Sequence, residues 1–297
     1  MSFRPGLLLA ITAVGLLATG CGGSAGEATV TGPRQIATPA GVTVSVLQWR
    51  TDYTIRRMQI EVSNAGPNPV TVTAARLNST ALRSEAAWYS RNEGDETTVA
   101  PGGSTDLPAP LPSSACPGTG AFRSTVRLDL RLADGSLGRT TALPIRDPYG
   151  SITRVHTEDC RRDAAFGIAG LALVDPLRRS TRDGRPVGLL DLRLTPTGKA
   201  GTLTVESIGS TTLVGPPTGE SWPVNRSVSA TTGPQTVTLE LRAARCDPHA
   251  IAEDKLGTVM PLELRVDNGE TGIVTVPADP QLRGQIQRFV QDACAAA

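Results

Sequence analysis

The chain has 297 residues, 39% of them apolar, and a formal net charge of +1 from 29 basic and 28 acidic side chains. So close a balance produces no global field that would gather nucleic acid, which excludes that partner class as an expectation. Aromatic residues amount to only 3%; this argues against sugar-binding modules built on exposed aromatic platforms, leaves cores to be made from Val and Leu, and the length suffices for two ordinary domains.

The chain opens with MSFRPGLLLAITAVGLLATGC, in which Arg4 precedes an uncharged run from Leu7 to Leu17 and then small residues up to Cys21. That run is too short to cross a hydrocarbon layer of roughly 30 Å as a stable helix, but it suits the apolar region of a signal peptide. Residues 1–20 are therefore expected to be removed. Ala18, Thr19, Gly20 and Cys21 resemble the lipobox of bacterial lipoproteins. The resemblance implies that Cys21 becomes the mature N-terminus, carries diacylglycerol on its thiol and an acyl chain such as palmitate on its amine, and holds the protein on the extracytoplasmic face of the cell membrane. Ordinary secretory cleavage after Gly20 is the alternative. Cysteine parity favours the lipid: of five cysteines, committing Cys21 leaves four to pair in an oxidising compartment. Residues 21–40 are small and polar without periodicity and read as a flexible tether with an end-to-end distance of about 25 Å.

Two later segments share one pattern. MQIEVSNAG aligns with LDLRLTPTG without gaps, so that Met58, Ile60 and Val62 match Leu190, Leu192 and Leu194, and Gly66 matches Gly198. Strict alternation is the period of a strand with one buried face. VTVTA from Val70 and LTVES from Leu203 follow as second strands. Downstream, Cys116 is followed by STVRLDLRL, a turn at Asp134 and Gly135, LGRTTALPI, and a terminal piece ending at Cys160. Cys246 is followed in the same order by GTVMPLELRV, a turn at Asp267, Asn268 and Gly269, TGIVTVP, and a terminal piece ending at Cys294. Asp-Gly and Asn-Gly favour hairpin turns because both central positions adopt positive φ. Each terminal piece begins with Asp-Pro, at Asp147 and Asp279, which predicts an N-cap followed by Pro at the first helical position. Ile152, Val155 and His156 lie at the same distances before Cys160 as Ile286, Phe289 and Val290 before Cys294, and these spacings share one helical face. The prediction is a mainly β protein of two tandem immunoglobulin-like β-sandwich domains, residues 41–163 and 164–297, each closed by a short C-terminal helix. Trp88 and Trp222 occupy similar places in the two halves and are expected to be packing residues.

Four cysteines allow three pairings. The repeat selects Cys116 with Cys160 and Cys246 with Cys294. This bears on CDPHAIAEDK, residues 246–255, which gathers a thiol, an imidazole and three carboxylates. Catalysis by His249, Glu253 and Asp254, or a metal site, is one reading. The other is a disulfide anchor followed by a turn of polar surface helix, which the pairing favours, because a nucleophile needs a reduced thiol and a zinc site needs more ligands than Cys246 and His249. No metal ligand set, cofactor fingerprint, nucleophile elbow or phosphate loop is recognised. The segment through LGTVMPLELRV resembles uncharacterised secreted proteins and lipoproteins of high-GC Gram-positive bacteria, a resemblance that implies secretion and no activity.

His156 reads as a buried histidine beside the disulfide, with pH sensing or ligand contact as the alternative. PLRRSTRDGRP, residues 176–186, reads as a solvated loop whose Arg178 and Arg179 are weak candidates for binding phosphate-bearing lipids or wall polymers. Function is expected to be non-catalytic binding or scaffolding in the cell envelope, with an envelope protein or wall polymer as partner. A small-molecule or lipid carrier or sensor and an envelope enzyme are the alternatives.

Overall fold

The computed structural model describes residues 32–296 except 54, 92–94, 119–120, 248, 250 and 252–255. The signal peptide, Cys21, the first part of the tether, Glu253 and Asp254 lie outside the described residues. No described helix is long and apolar enough to cross a membrane.

Alternation produces the strands where it was expected. In β3 (Arg57–Asn64), Met58, Ile60 and Val62 are buried, and in β12 (Arg185–Pro196), Leu190, Leu192 and Leu194 are buried. In the first half, β2 (Val42–Leu47), β3 and β7 (Ser104–Pro110) form one antiparallel layer. The facing layer is built on β4 (Val70–Ser79), which pairs with β5 (Ala86–Tyr89) and β6 (Thr97–Val99) on one side and β8 (Ser124–Arg131) on the other; β9 (Leu137–Thr140) extends it beyond β8. The second half repeats the plan. Here β11 (Ala169–Arg182), β12 and β16 (Gln235–Ala243) form one layer, with the short β14 (Val214–Gly215) beside β16, and β15 (Ser221–Ser229), β13 (Thr202–Gly209), β17 (Val259–Val266) and β18 (Gly272–Pro277) form the other. Each half is an immunoglobulin-like sandwich. The halves also share a bulge: register slips between Val72 and Ala74 of β4 and between Val205 and Ser207 of β13, which are aligned positions in the two copies.

The first half has one additional connection. β10 (Leu143–Arg146) pairs antiparallel with β8 through Leu143 and Pro144, then parallel with β2 through Ile145 and Arg146. It passes from one layer to the other and joins them into a single ten-stranded sheet. The tether also ends earlier than expected, because β1 (Arg34–Ile36) pairs parallel with β9. Gly138 permits this: a Cβ there would stand 2.8 Å from Ile36.

The helices differ more than their sequences implied. α2 (Pro280–Ala295) begins as expected, with Asp279 as N-cap accepting a 2.8 Å bond from the Leu282 N–H and Pro280 at the first position. α1 (Ser151–Ile168) begins three residues later than its Asp-Pro. Its N-cap is Gly150 in the left-handed region, and the Asp147 carboxylate reaches forward to accept from the N–H groups of Ser151 and Ile152 at 2.7 and 2.9 Å. The orphan donors of the first turn are satisfied from farther away.

α1 also spans the position at which the sequence divides into halves. Ile152 and Val155 are buried in the first core, whereas Ala165 and Ile168 are buried in the second. At 100° per residue, Ile168 lies about 160° round the axis from Ile152. The two ends of one helix thus present opposite faces to two cores, and α1 runs into β11 without a loop, since Ala169 both caps the helix and opens the strand.

Candidate ligand groove

Asp52 shapes the connection between β2 and β3. Its buried carboxylate accepts from the Trp49 N–H and from Gln59 Nε2, each at 2.9 Å, and pairs with Arg57 at 3.3 Å. Turning the polar backbone inward sends the apolar side chains out: Trp49, Tyr53 and Ile55 are 54%, 49% and 54% exposed. The Trp49 indole N–H donates to Asp106 of β7 at 2.9 Å. On β7 itself, Pro108 and Pro110 remove two N–H donors from an edge strand, which discourages further strand pairing there.

β5 stands across from this edge and contributes Trp88 and Tyr89. Between β5 and β7 lies an open groove of about 740 Å³, lined by Ile55, Trp88, Tyr89, Pro108 and Pro110, with Arg57, Arg91 and Asp95 adding charge. Tyr89 is half exposed and its ring is covered by the Arg76 guanidinium at 5.0 Å, a cation–π contact. Beyond Tyr89 the surface becomes a charged shelf over β4, β8 and β9. Asp129, buried on β8, accepts from Arg76 at 2.7 Å and from Arg139 at 2.7 and 2.9 Å. Arg131 pairs with Glu96 beside it. Arg76 therefore holds the groove wall in place, and Asp129 holds Arg76.

Burial opposes ionisation of Asp129, but hydrogen bonds and charge from Arg139 and Arg76 outweigh it and keep the carboxyl below its ordinary range. A folded-state value below the unfolded one gives stability that is present above about pH 4 and lost as pH falls through the folded value. Asp129→Asn is expected to cost about 1–3 kcal/mol near neutrality. It should also flatten the loss of stability below about pH 4, which urea unfolding at a series of pH values measures.

The predicted site residues are dispersed. Cys116 is bonded to Cys160 and Cys246 to Cys294, each linking the loop after β7 or β16 to the following helix. His249 is exposed, and its backbone N–H donates to Asp247 at 3.0 Å. The arginine-rich segment is not a loop but the β11–β12 hairpin, whose registered backbone pairs run from Arg178 with Leu189 to Arg182 with Arg185. Within it Arg178 pairs with Asp191 at 2.8 Å, Arg179 with Asp292 at 2.5 Å and Arg182 with Glu240 at 2.7 Å. Trp222 packs in the second core, its indole N–H donating to the Glu240 carbonyl at 2.9 Å. Trp88 differs: it packs on the first core and also lines the groove. Sequence reasoning missed Ile55, Tyr89, Pro108 and Pro110. The available signal was an adjacent Trp-Tyr pair in a chain with so few aromatics.

No family model and no curated protein matches the chain. Among solved structures, a transglutaminase from red sea bream aligns with 82% of this chain and 32% of its own, at 11% identity and a TM-score of 0.23. The chain thus spans about a third of that protein. The calcium-binding domain CBD12 of CALX1.1 aligns with 81% of this chain and 87% of its own, at 11% identity and a TM-score of 0.20. The sporulation control protein Spo0M from Bacillus subtilis aligns with 87% of this chain and 100% of its own, at 10% identity and a TM-score of 0.22. At such scores these neighbours transfer no ligand and no activity.

Proposed function

We propose that the chain is a lipid-anchored cell-envelope protein, held to the extracytoplasmic face of the membrane through Cys21, that acts as a non-catalytic binding or scaffolding module. The observation that carries the binding role is the groove between β5 and β7, where exposed Ile55 and Tyr89 flank a cleft of about 740 Å³. Burying such side chains contributes roughly 25 cal/mol per Å² of apolar surface, and aromatic anchors in a partly charged rim are a common basis of protein recognition. An open cleft with mixed apolar and charged lining suits a macromolecular surface better than an enclosed small molecule. Prolines on the edge strand direct recognition to side chains instead of strand addition.

Two measurements test the reading. Feeding an alkyne-tagged fatty acid to cells expressing the full chain should label the wild type and not Cys21→Ser; an unlabelled wild type overturns the anchor. Chemical cross-linking on the native membrane should then capture an envelope partner. Tyr89→Ala and Ile55→Asp, at half-exposed positions, should change stability by only about 0.5 kcal/mol and abolish that capture. Capture that is indifferent to both substitutions overturns the groove as the binding surface.

A further inference from the structure

The two halves carry the same disulfide, from the loop after β7 or β16 to the closing helix, but among the described residues a histidine packs against the first of them alone. His156, 3% exposed, places Nε2 at 3.4 Å and Nδ1 at 3.8 Å from Cys160 Sγ. Among the described residues the Ala115 carbonyl lies 3.3 Å from Nε2, and the Phe122 ring packs at 4.5 Å. In the second half the aligned residue is Val290, fully buried among apolar side chains. An imidazole where the copy keeps a valine introduces a polar group whose burial is costly unless it is fully bonded. The two sulfur atoms of Cys116 and Cys160 and a ring nitrogen of His156 all lie within 4.8 Å of one another.

We propose that Cys116, Cys160 and His156 form a thiol–disulfide exchange site, whose reaction partner is a dithiol, while Cys246–Cys294 is structural. A dithiol thiolate attacks Cys116 Sγ, the S–S bond breaks, and its electron pair passes to Cys160 Sγ. His156, whose Nε2 stands 3.4 Å from Cys160 Sγ, acts as general acid and gives the leaving sulfur a proton. A nearby imidazolium favours a thiolate and so makes it a better leaving group. The second thiol of the dithiol attacks the mixed disulfide and releases Cys116 as a thiol. Two electrons pass from the dithiol to the protein; one proton comes from its second thiol and the other from His156, which recovers it from the water that took the first thiol's proton, and the dithiol leaves as a disulfide. The proposal does not depend on the membrane anchor or the groove.

Exposure alone predicts the opposite order of reactivity, because Cys246 is exposed whereas Cys116 and Cys160 are only partly so. The test is limited reduction of the folded, oxidised full chain by dithiothreitol with a chelator present, followed by alkylation and peptide mass mapping. Cys116 and Cys160 should be labelled at least about tenfold faster than Cys246 and Cys294. His156→Val should slow that labelling to the rate of the second pair or below. A purely packing role for His156 predicts faster labelling in the variant, as the site loosens. If His156→Val does not fold, His156→Gln keeps a polar side chain but cannot act as a general acid, and should be slow as well. Opening of Cys246–Cys294 first, or substitution at 156 that leaves the rate unchanged or raises it, overturns the proposal.

Discussion

Asp163→Pro is expected to separate the unfolding of the two sandwiches. Asp163 is an exposed residue in the middle of α1, so Asp163→Ala should be close to neutral, within about 0.5 kcal/mol. Proline at that place removes an intrahelical hydrogen bond and clashes with the carbonyl four residues earlier, at a cost of about 3 kcal/mol or more. The loss falls between Val155, which is committed to the first core, and Ala165, which is committed to the second. Trp222 is buried in the second core, and Trp49 stands exposed in the first half, so variants retaining one or the other follow the halves separately. With α1 intact, both probes should report closely spaced urea midpoints. In Asp163→Pro the midpoints should drop and diverge. Unchanged midpoints would mean that α1 does not couple the cores. The helix also touches the second sandwich through a side chain: Arg162 donates to the Thr275 carbonyl at 3.0 Å and lies over the Phe166 ring of its own helix at 4.8 Å.

Removing Cys246–Cys294 by the double substitution Cys246→Ser, Cys294→Ser should lower the stability of the second sandwich by about 4 kcal/mol. Its sequence separation is 48 residues, and a cross-link closing a loop of that length restricts the unfolded chain by roughly that free energy. With a urea slope near 2 kcal/mol/M, the Trp222 midpoint should fall by about 2 M. The loss is large because a domain's whole net stability is only about 5–15 kcal/mol. α2 remains attached through Leu282, Ile286, Phe289, Val290 and Ala293, all buried, so the variant should retain its fold in water. A midpoint shift below about 0.5 M would show that the helix is held by packing alone and that the link adds little.

The sequence by itself determined the elements that follow from local periodicity. Alternation placed Met58, Ile60 and Val62 on the same buried face as Leu190, Leu192 and Leu194 in their copy. The matched order of cysteine, hairpin, Asp-Pro and cysteine selected the pairing observed at 116 with 160 and 246 with 294. Helical spacing identified the buried faces at Ile152, Val155 and His156 and at Ile286, Phe289 and Val290. These results rest on side-chain direction, which a strand or a helix repeats regularly. What only the tertiary structure decided lies between elements. That the far end of α1 turns its opposite face to a second core, that β10 crosses between layers, and that PLRRSTRDGRP continues a hairpin all depend on partners distant in sequence. The groove is of the same kind: Ile55, Tyr89 and Pro108 belong to three segments, and no local period links them. Each is an unremarkable residue until strand pairing brings the edges of two layers together, because a concave surface is a property of packing and not of any single stretch of chain.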